Sequence, residues 1–178
     1  MNKNLILSVL LVMILFFISA TTTNAYSFNT RNWPKKPLQP YTVTLQYTTT
    51  NSTYKSTFTT AVSDWNSAQS KIKYVLTDNI APNKVGTENV DDPSLYGTCY
   101  ALNGSSLYFN AVINIGNPQI VNNSLTRRSA AVHELGHGIG LGHETPPVLS
   151  VMNSQRDRTK VYIPQQDDIQ GVNMKYPY

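Results

Sequence analysis

The sequence contains three histidines, and all three lie between positions 133 and 143. On a helix, His133 and His137 are one turn apart, about 6 Å along the axis, and share a face on which they can bind one metal ion. Glu134 is rotated by about 100° around that helix, so its carboxylate reaches a water molecule on the metal rather than the metal itself. This spacing predicts a helix that carries two metal ligands and a general base.

The third histidine, His143, requires a reversal of the chain, because a continued helix would place it about 15 Å beyond His133. Gly140 tolerates a positive φ and permits that reversal. Three neutral imidazoles leave one tetrahedral position open for water, as in catalytic zinc sites. We therefore predict a single catalytic Zn²⁺ bound by His133, His137 and His143.

The pattern His-Glu-x-x-His-x-x-Gly-x-x-His resembles the signature of the metzincin metallopeptidases. Those enzymes have a methionine turn beneath the zinc, and Met152 stands where that turn would fall. The resemblance implies a zinc endopeptidase in which Glu134 is the general base for a zinc-activated water, and Met152 is packed without being a ligand. It also implies that an edge strand preceding the zinc helix pairs with extended substrate.

Within the metzincins, the chain looks most like a matrixin, the catalytic domain of the matrix metalloproteinase type. The features that carry this resemblance occur in order along the chain and are the arm at residues 33–36, the helix around residues 61–65, the zinc motif with Gly140 and Leu141, and residues 167–172. The resemblance implies an α/β (α+β) fold with a twisted mixed five-stranded sheet. Two long helices, one carrying the zinc motif, a methionine turn and a short C-terminal helix complete it.

Several residues depart from the matrixin pattern. No cysteine that could cap the zinc lies between Ala25 and Tyr41, and no further histidine is present for a second, structural zinc. The glutamate directly after the third histidine, Glu144, is a feature in which the chain resembles astacins. The tyrosine that astacins have two positions after the turn methionine is replaced by Ser154.

The amino-terminal residues have the pattern of an export signal. Residues 5–18 are apolar except for Ser8, a run too short to span a bilayer comfortably. Residues 23–25, Thr-Asn-Ala, fit a signal-peptidase site, so we predict that residues 1–25 are a signal peptide and that a secreted, extracellular protein begins at Tyr26. The alternative is an uncleaved membrane anchor.

Length and charge restrict the remaining possibilities. Residues 26–178 suffice for one domain, which we divide into an arm at 26–40 and a catalytic domain at 41–178. The formal net charge is +4, and no block of Lys and Arg exceeds two residues, which argues against nucleic-acid binding and against a membrane-surface patch. We expect a monomer that acts on a protein or peptide substrate and has no stable membrane association.

Cys99 is the one cysteine, so an intrachain disulfide is excluded. The simplest interpretation is a small buried apolar side chain. A thiolate that masks the zinc and an intermolecular bridge are the alternatives.

Alternating apolar residues predict strands at 41–47 and 72–76, on either side of an amphipathic helix at residues 54–65. Strand, helix and strand in this order favour a right-handed crossover and a parallel pair. Residues 78–97 have few apolar side chains and are predicted to be a long surface loop. Its carboxylates offer a possible Ca²⁺ site, but without EF-hand spacing a solvated loop is favoured.

Two further strands are predicted at residues 100–102 and 107–115, joined by a turn at Asn103 and Gly104. Ser124 is the predicted N-cap of the zinc helix. The predicted packing face of that helix comprises its apolar residues, Leu125, Ala131, Val132, Leu135 and Ile139.

A last helix is predicted to open at Pro164. Asp167 and Asp168 lie in its first turn, where the helix dipole favours acidic side chains. Ile169, Val172 and Tyr176 form its predicted packing side.

One rival function belongs to another class of protein. A secreted zinc-binding adhesin or inhibitor could keep the three histidines on the same fold without cleaving peptides. Because such a module has no need of a general base, the presence of Glu134 favours the enzyme.

Overall fold

The computed structural model describes residues 26–34 and 39–177. The predicted signal peptide, residues 1–25, lies outside the described residues. Within the described ranges, no helix is both long enough and apolar enough to cross a membrane.

In the part of the chain that the structure describes, five strands form a sheet in the order β2-β1-β3-β5-β4. They are β1 Tyr41–Tyr47, β2 Ile72–Thr77, β3 Asn83–Glu88, β4 Gly97–Ala101 and β5 Phe109–Asn114. Strands β2, β1, β3 and β5 run parallel, whereas β4 is antiparallel to β5 and lies at the edge. The predicted mixed five-stranded α/β fold is confirmed.

Within the described residues, four helices accompany the sheet: α1 Ser52–Ala68, α2 Pro118–Asn122, α3 Ser124–Ile139 and α4 Gln166–Lys175. The two long helices, α1 and α3, pack against each other. Trp65 of α1 is fully buried between them and donates its indole N–H to the carbonyl of Val132 at 2.8 Å. The indole therefore provides a hydrogen-bond donor for a buried carbonyl of α3 and also fills space in the core.

Helix α1 follows from its apolar spacing and its cap. Asn51 accepts the backbone N–H of Thr53 at 2.9 Å, which pairs one of the free donors of the first turn. Its buried stripe consists of Thr57, Phe58, Ala61, Val62 and Trp65. Each large apolar side chain buried in this way contributes about 1.5–3 kcal/mol. The predicted helix is confirmed, as is the parallel pairing of β1 with β2 that it connects.

The prediction of a surface loop at residues 78–97 is wrong, because β3 occupies the middle of this segment and of the sheet. Asn83 is buried and uses its side chain to donate to Thr44 O at 3.3 Å and to accept from Phe109 N at 3.2 Å. A Cβ at Gly86 would overlap the hydroxyl of Thr48. The strand is held by pairing on both edges, although its sequence lacks the apolar alternation by which strands are recognised.

The hairpin between β4 and β5 turns at the predicted residues. Asn103 and Gly104 both have positive φ, at 53° and 68°. Such angles suit asparagine and glycine and close a tight connection. The observed strand β4 begins at Gly97, three residues before the predicted start, which extends the free edge of the sheet toward the zinc motif.

Two details of α3 differ from prediction. The N-cap is Asn123, not Ser124, because the Asn123 side chain accepts from Leu125 N at 3.0 Å and from Thr126 N at 3.1 Å. Leu125 is 38% exposed and does not belong to the packing face. The short helix α2 ends directly before this cap, and its five residues are too few to produce a periodic signal.

Helix α4 begins at Gln166 rather than at Pro164, with Gln165 as its N-cap. Asp168 accepts the backbone N–H of Gln165 at 2.7 Å. Asp167 and Asp168 lie in the first turn of α4, as predicted, and Asp168 is buried there, with 2% of its surface exposed.

The described part of the predicted arm, residues 26–34, lies against the C-terminal end of α3. Asn29 N donates to Gly140 O at 3.0 Å, and the Trp33 indole donates to Gly138 O at 2.8 Å. Phe28 forms a β-bridge with Leu141. The arm therefore covers the end of the helix at which the chain reverses.

Candidate active site

The three histidines converge although they come from two structural elements. Their closest ring nitrogens are Nε2 atoms, 3.2 Å apart between His133 and His143 and 3.1 Å apart between His137 and His143. One nitrogen of each residue lies within 4.8 Å of those of the others. This is the one group of three or more potential metal ligands within the described ranges.

This arrangement fits a zinc ion. Two zinc–nitrogen bonds of about 2.0–2.1 Å at a tetrahedral angle place the nitrogens roughly 3.3 Å apart. The Nδ1 atoms of His133 and His137 lie 2.8 Å from Val151 O and 2.9 Å from Leu141 O. A carbonyl oxygen can only accept, so the proton is on Nδ1 and the Nε2 lone pair is free for a metal.

The chain reversal after α3 positions two of the three imidazoles. Gly140 ends the helix with φ of 109°, and its N–H bonds to Gly136 O and His137 O. The next carbonyl, that of Leu141, accepts from the His137 ring. One turn thus orients His137 and directs the chain back toward His143, as the glycine predicts.

Met152 is packed against the helix that carries His133 and His137. It is 1% exposed, and a Cβ at Gly136 of the zinc helix would overlap its sulfur atom. Met152 O also accepts from Glu144 N at 3.0 Å, which ties the segment after His143 to the turn. Gly136 therefore allows close approach of the methionine, and the methionine turn supports the third histidine.

Asp168 holds this turn from the other side. Its carboxylate accepts from Ser150 Oγ at 2.5 Å, from Val151 N at 2.9 Å and from Met152 N at 3.3 Å. The carbonyl of Val151 in turn accepts from His133. Sequence reasoning missed this role, because burial of Asp168 is decided by the packing of α4 against the turn.

Burial lowers the pKa of all three histidines. The pKa of His133 lies well below its usual range, and that of His137 is lowered to about 4. The pKa of His143 is also lowered by burial, with a contribution from Arg156. The imidazoles are therefore neutral at pH 7, which is the form that binds a metal.

Glu134 is 4% exposed and lies against the first residue of the edge strand. A Cβ at Gly97 would stand 2.8 Å from its Oε1 atom, so only glycine leaves room for the carboxylate. Burial raises the pKa of Glu134 to about 8, and the positive charges of Arg156 and Arg158 oppose this shift. Once ionised, a carboxyl with a raised pKa is a stronger base than an ordinary one.

Arg156 is a site residue that sequence reasoning did not identify. It donates to Ser129 Oγ and Ser129 O at 3.0 Å each and to Asn153 O at 3.0 Å, and so joins the segment after the methionine turn to α3. Its Nη1 also lies 3.3 Å from His133 Nδ1. Because that nitrogen already carries a proton, this contact is a repulsion that favours the neutral imidazole.

The histidines and Glu134 open into a cleft of about 390 Å³, which is also lined by Gly97, Thr98 and Cys99 of β4. A larger groove of about 610 Å³ lies between α1 and α3, but its lining contains neither histidine nor carboxylate. The chemistry of the lining, not the size of the cavity, thus identifies the site.

The Cys99 thiol is not part of the histidine cluster. Its sulfur lies 4.0 Å from Arg31 Nη1, and burial raises its pKa to about 12. A thiol with this pKa is protonated at neutral pH and is a poor metal ligand. Cys99 is partly buried, and its raised pKa favours the interpretation of a small packed side chain over that of a zinc-masking thiolate.

No protein-family model matches the chain, and no curated protein matches it. The solved structure of myroilysin superposes on it with a TM-score of 0.59 at 10% sequence identity. The match covers 86% of this chain and 98% of the myroilysin chain. The fold is metzincin-like. On this fold, the three converging histidines are a candidate metal site.

Proposed function

We propose that this protein is a secreted zinc endopeptidase. The observation that carries the proposal is the convergence of three Nε2 atoms in a cleft that also contains the buried carboxylate of Glu134. A structural zinc site is closed by four protein ligands, whereas only three potential ligands converge within the described part of the chain.

The three histidines and Glu134 have different roles in the proposed reaction. His133, His137 and His143 would hold the ion, which supplies a Lewis acid that lowers the pKa of a water molecule and stabilises negative charge on the scissile carbonyl. Glu134 accepts the proton of the attacking water at its carboxylate. It then donates this proton to the leaving amine.

The edge of the sheet suits an extended substrate. Strand β4 pairs on one side with β5 and has no strand on its other side within the described ranges. A peptide added along this edge would satisfy the free backbone groups of β4 and lie beside Glu134. We therefore propose unfolded or extended protein segments as substrates.

We further propose that the protein is of the matrixin type. In support, one described residue from each of three of these features bonds to the zinc helix or to the methionine turn. Trp33 of the arm bonds Gly138, Trp65 bonds Val132, and Asp168 bonds the methionine turn. The proposal that the protein is secreted rests on the pattern of residues 1–25.

Replacement of the general base tests the enzymatic proposal. Glu134→Gln has nearly the same volume but cannot accept the proton, so it should retain one zinc per chain and lose at least about 10²-fold in peptide hydrolysis. His137→Ala should lose both zinc and activity. Bound zinc is measured by metal analysis, and cleavage of an unfolded protein is followed with and without a chelator.

Two outcomes would contradict the proposal. If Glu134→Gln cleaves as fast as the parent, Glu134 is not the base. If the zinc-loaded parent cleaves no unfolded protein, the non-catalytic zinc-binding module becomes the better description.

A further inference from the structure

The cleft beside the histidines has a basic wall. Arg156 and Arg158, which follow the methionine turn, both line it, together with Tyr96. The proposed general base, Glu134, lies in the same cleft and belongs to no ion pair within 4.0 Å among the described residues. The proposed chemistry gives neither arginine a contact with the substrate.

The two arginines differ in how far their donors are used. Arg156 is buried, and all three of its nitrogens donate to Ser129 or Asn153. Its guanidinium therefore fixes the wall of the cleft and has little capacity for a ligand.

Arg158 has most of its donors free. Its Nη2 donates to Ser154 O at 3.1 Å, whereas its Nε is buried without an acceptor in the described part of the chain. In residues 26–34 and 39–177, no carboxylate oxygen lies within 4.0 Å of its nitrogens. A guanidinium has five N–H donors, and a buried N–H without a partner is costly.

Tyr96 holds this guanidinium in place. The central carbon of the Arg158 guanidinium lies 3.6 Å from the centroid of the Tyr96 ring, a close cation–π contact. The Tyr96 hydroxyl donates to Gln119 Oε1 at 2.9 Å, which anchors the ring to α2. The charge is thus positioned on an aromatic surface rather than on a freely rotating side chain.

The direction of strand β4 determines which residues of a bound substrate lie near the Arg158 guanidinium. Strand β4 runs from Gly97 to Ala101, with Tyr96 directly before it, and Glu134 lies against Gly97. A substrate that pairs antiparallel to β4 runs in the opposite direction. The scissile bond lies next to Glu134. The substrate residues on the C-terminal side of that bond therefore lie near Tyr96 and Arg158.

We infer that Arg158 is a specificity-determining residue that selects aspartate or glutamate as the residue immediately after the scissile bond. The inference rests on the proposed endopeptidase function and names the substrate class of the same site. A carboxylate accepts two N–H groups of one guanidinium in a planar, bidentate contact. An amide of the same shape offers one acceptor and no charge, so it should be a weaker substrate.

Matched peptides test this selection. Fluorogenic peptides that differ only at the position after the cut, with Glu, Gln, Asp, Asn, Leu or Lys, are compared by kcat/KM, and mass spectrometry locates each cut. The parent should cleave the Glu peptide at least 10-fold faster than the Gln peptide. Arg158→Gln should reduce that ratio below 3-fold, and Arg158→Lys should keep part of it. Lys73→Gln removes one exposed charge from β2 and should leave the ratio unchanged.

A binding measurement separates this inference from the proposed catalysis. Two hydroxamate pseudo-peptides, one with a glutamate and one with a glutamine side chain in that position, are titrated calorimetrically into the zinc-loaded parent. Tighter binding of the glutamate compound to the parent, with no such preference in Arg158→Gln, supports the inference. This holds even if no peptide is cleaved, and in that case only the endopeptidase proposal is wrong. Cleavage or binding without discrimination between acid and amide overturns the inference and leaves the endopeptidase proposal intact. If neither cleavage nor hydroxamate binding occurs, both are wrong.

Discussion

Asp168 accepts the backbone N–H of Val151 at 2.9 Å, and Val151 connects it to the candidate zinc site. The carbonyl of Val151 lies 2.8 Å from His133 Nδ1 and fixes the orientation of that imidazole. An acidic residue of the last helix therefore positions a predicted zinc ligand that lies 35 positions earlier in the sequence. Residues that orient metal ligands in this way affect metal affinity without touching the metal.

Loss of Asp168 should therefore weaken both folding and zinc binding. Asp168→Ala leaves Ser150 Oγ and the N–H groups of Val151 and Gln165 without their acceptor. We expect a loss of about 3 kcal/mol or more in the free energy of unfolding, measured with urea. Zinc affinity should fall about 10- to 100-fold, measured by competition with a chromogenic chelator.

The neighbouring Asp167 is the matched control for this substitution, because it is more exposed and accepts no hydrogen bond from the turn. Asp167→Ala should leave the zinc affinity unchanged. Equal zinc affinities of Asp168→Ala and the parent would show that the turn holds its shape without the carboxylate.

Gly136→Ala should be destabilising, although alanine ordinarily favours helices by up to about 1 kcal/mol over glycine. The new methyl group would overlap the sulfur of Met152 and lie 3.1 Å from Trp65 Cζ2. We expect a net loss of about 1–3 kcal/mol in the free energy of unfolding. In a Met152→Ala background the same substitution should cost less, and a double-mutant cycle measures this coupling. Strict additivity would show that the contact is not responsible.

Cys99→Ser should retain both bound zinc and hydrolysis, because the thiol is not among the converging ligands. Burial raises the pKa of Cys99 to about 12, so little reactive thiolate exists at pH 8. A chromogenic disulfide reagent should therefore label the native protein far more slowly than the urea-unfolded chain. Rapid labelling of the native state, or loss of zinc in Cys99→Ser, would contradict this assignment.

Asp167 should make the folded state less stable as the pH rises. Burial raises the pKa of Asp167 to about 6, and the nearby charges of Glu144 and Asp168 add to the shift. A carboxyl with a raised pKa in the folded state contributes stability below its unfolded pKa of about 3.9 and loses it as the pH rises through about 6. Asp167→Asn should therefore gain thermal stability over the zinc-saturated parent between pH 5 and 7.5.

Asp157 provides a control of opposite sign. Hydrogen bonds from Thr159 lower the pKa of this exposed carboxyl to about 2, so its contribution to stability is present above pH 4. Asp157→Asn should be slightly less stable than the parent at pH 7.5, with a deficit that is constant down to pH 5. If the stability difference from the parent changes with pH in the same direction for both variants, titration of these two carboxyls is not the cause.

The fold class could be predicted because its signals are local. The turn at Asn103 and Gly104, the buried stripe of α1 and the glycine that ends α3 each arise from neighbouring residues. Strand β3 escaped prediction since its stability comes from pairing with two other strands and from the side chain of Asn83. Propensity and periodicity do not report such non-local pairing.

The candidate ligands and general base follow from the sequence by itself, because helical geometry and one flexible glycine place His133, His137, His143 and Glu134 close together. The tertiary structure alone decided how these residues are held and charged. Asp168 and Arg156 reach them from segments distant in the sequence, and Arg158 is directed into the cleft by its contact with Tyr96. The physical reason is that burial, which sets hydrogen bonding and pKa values, depends on which distant segments pack together.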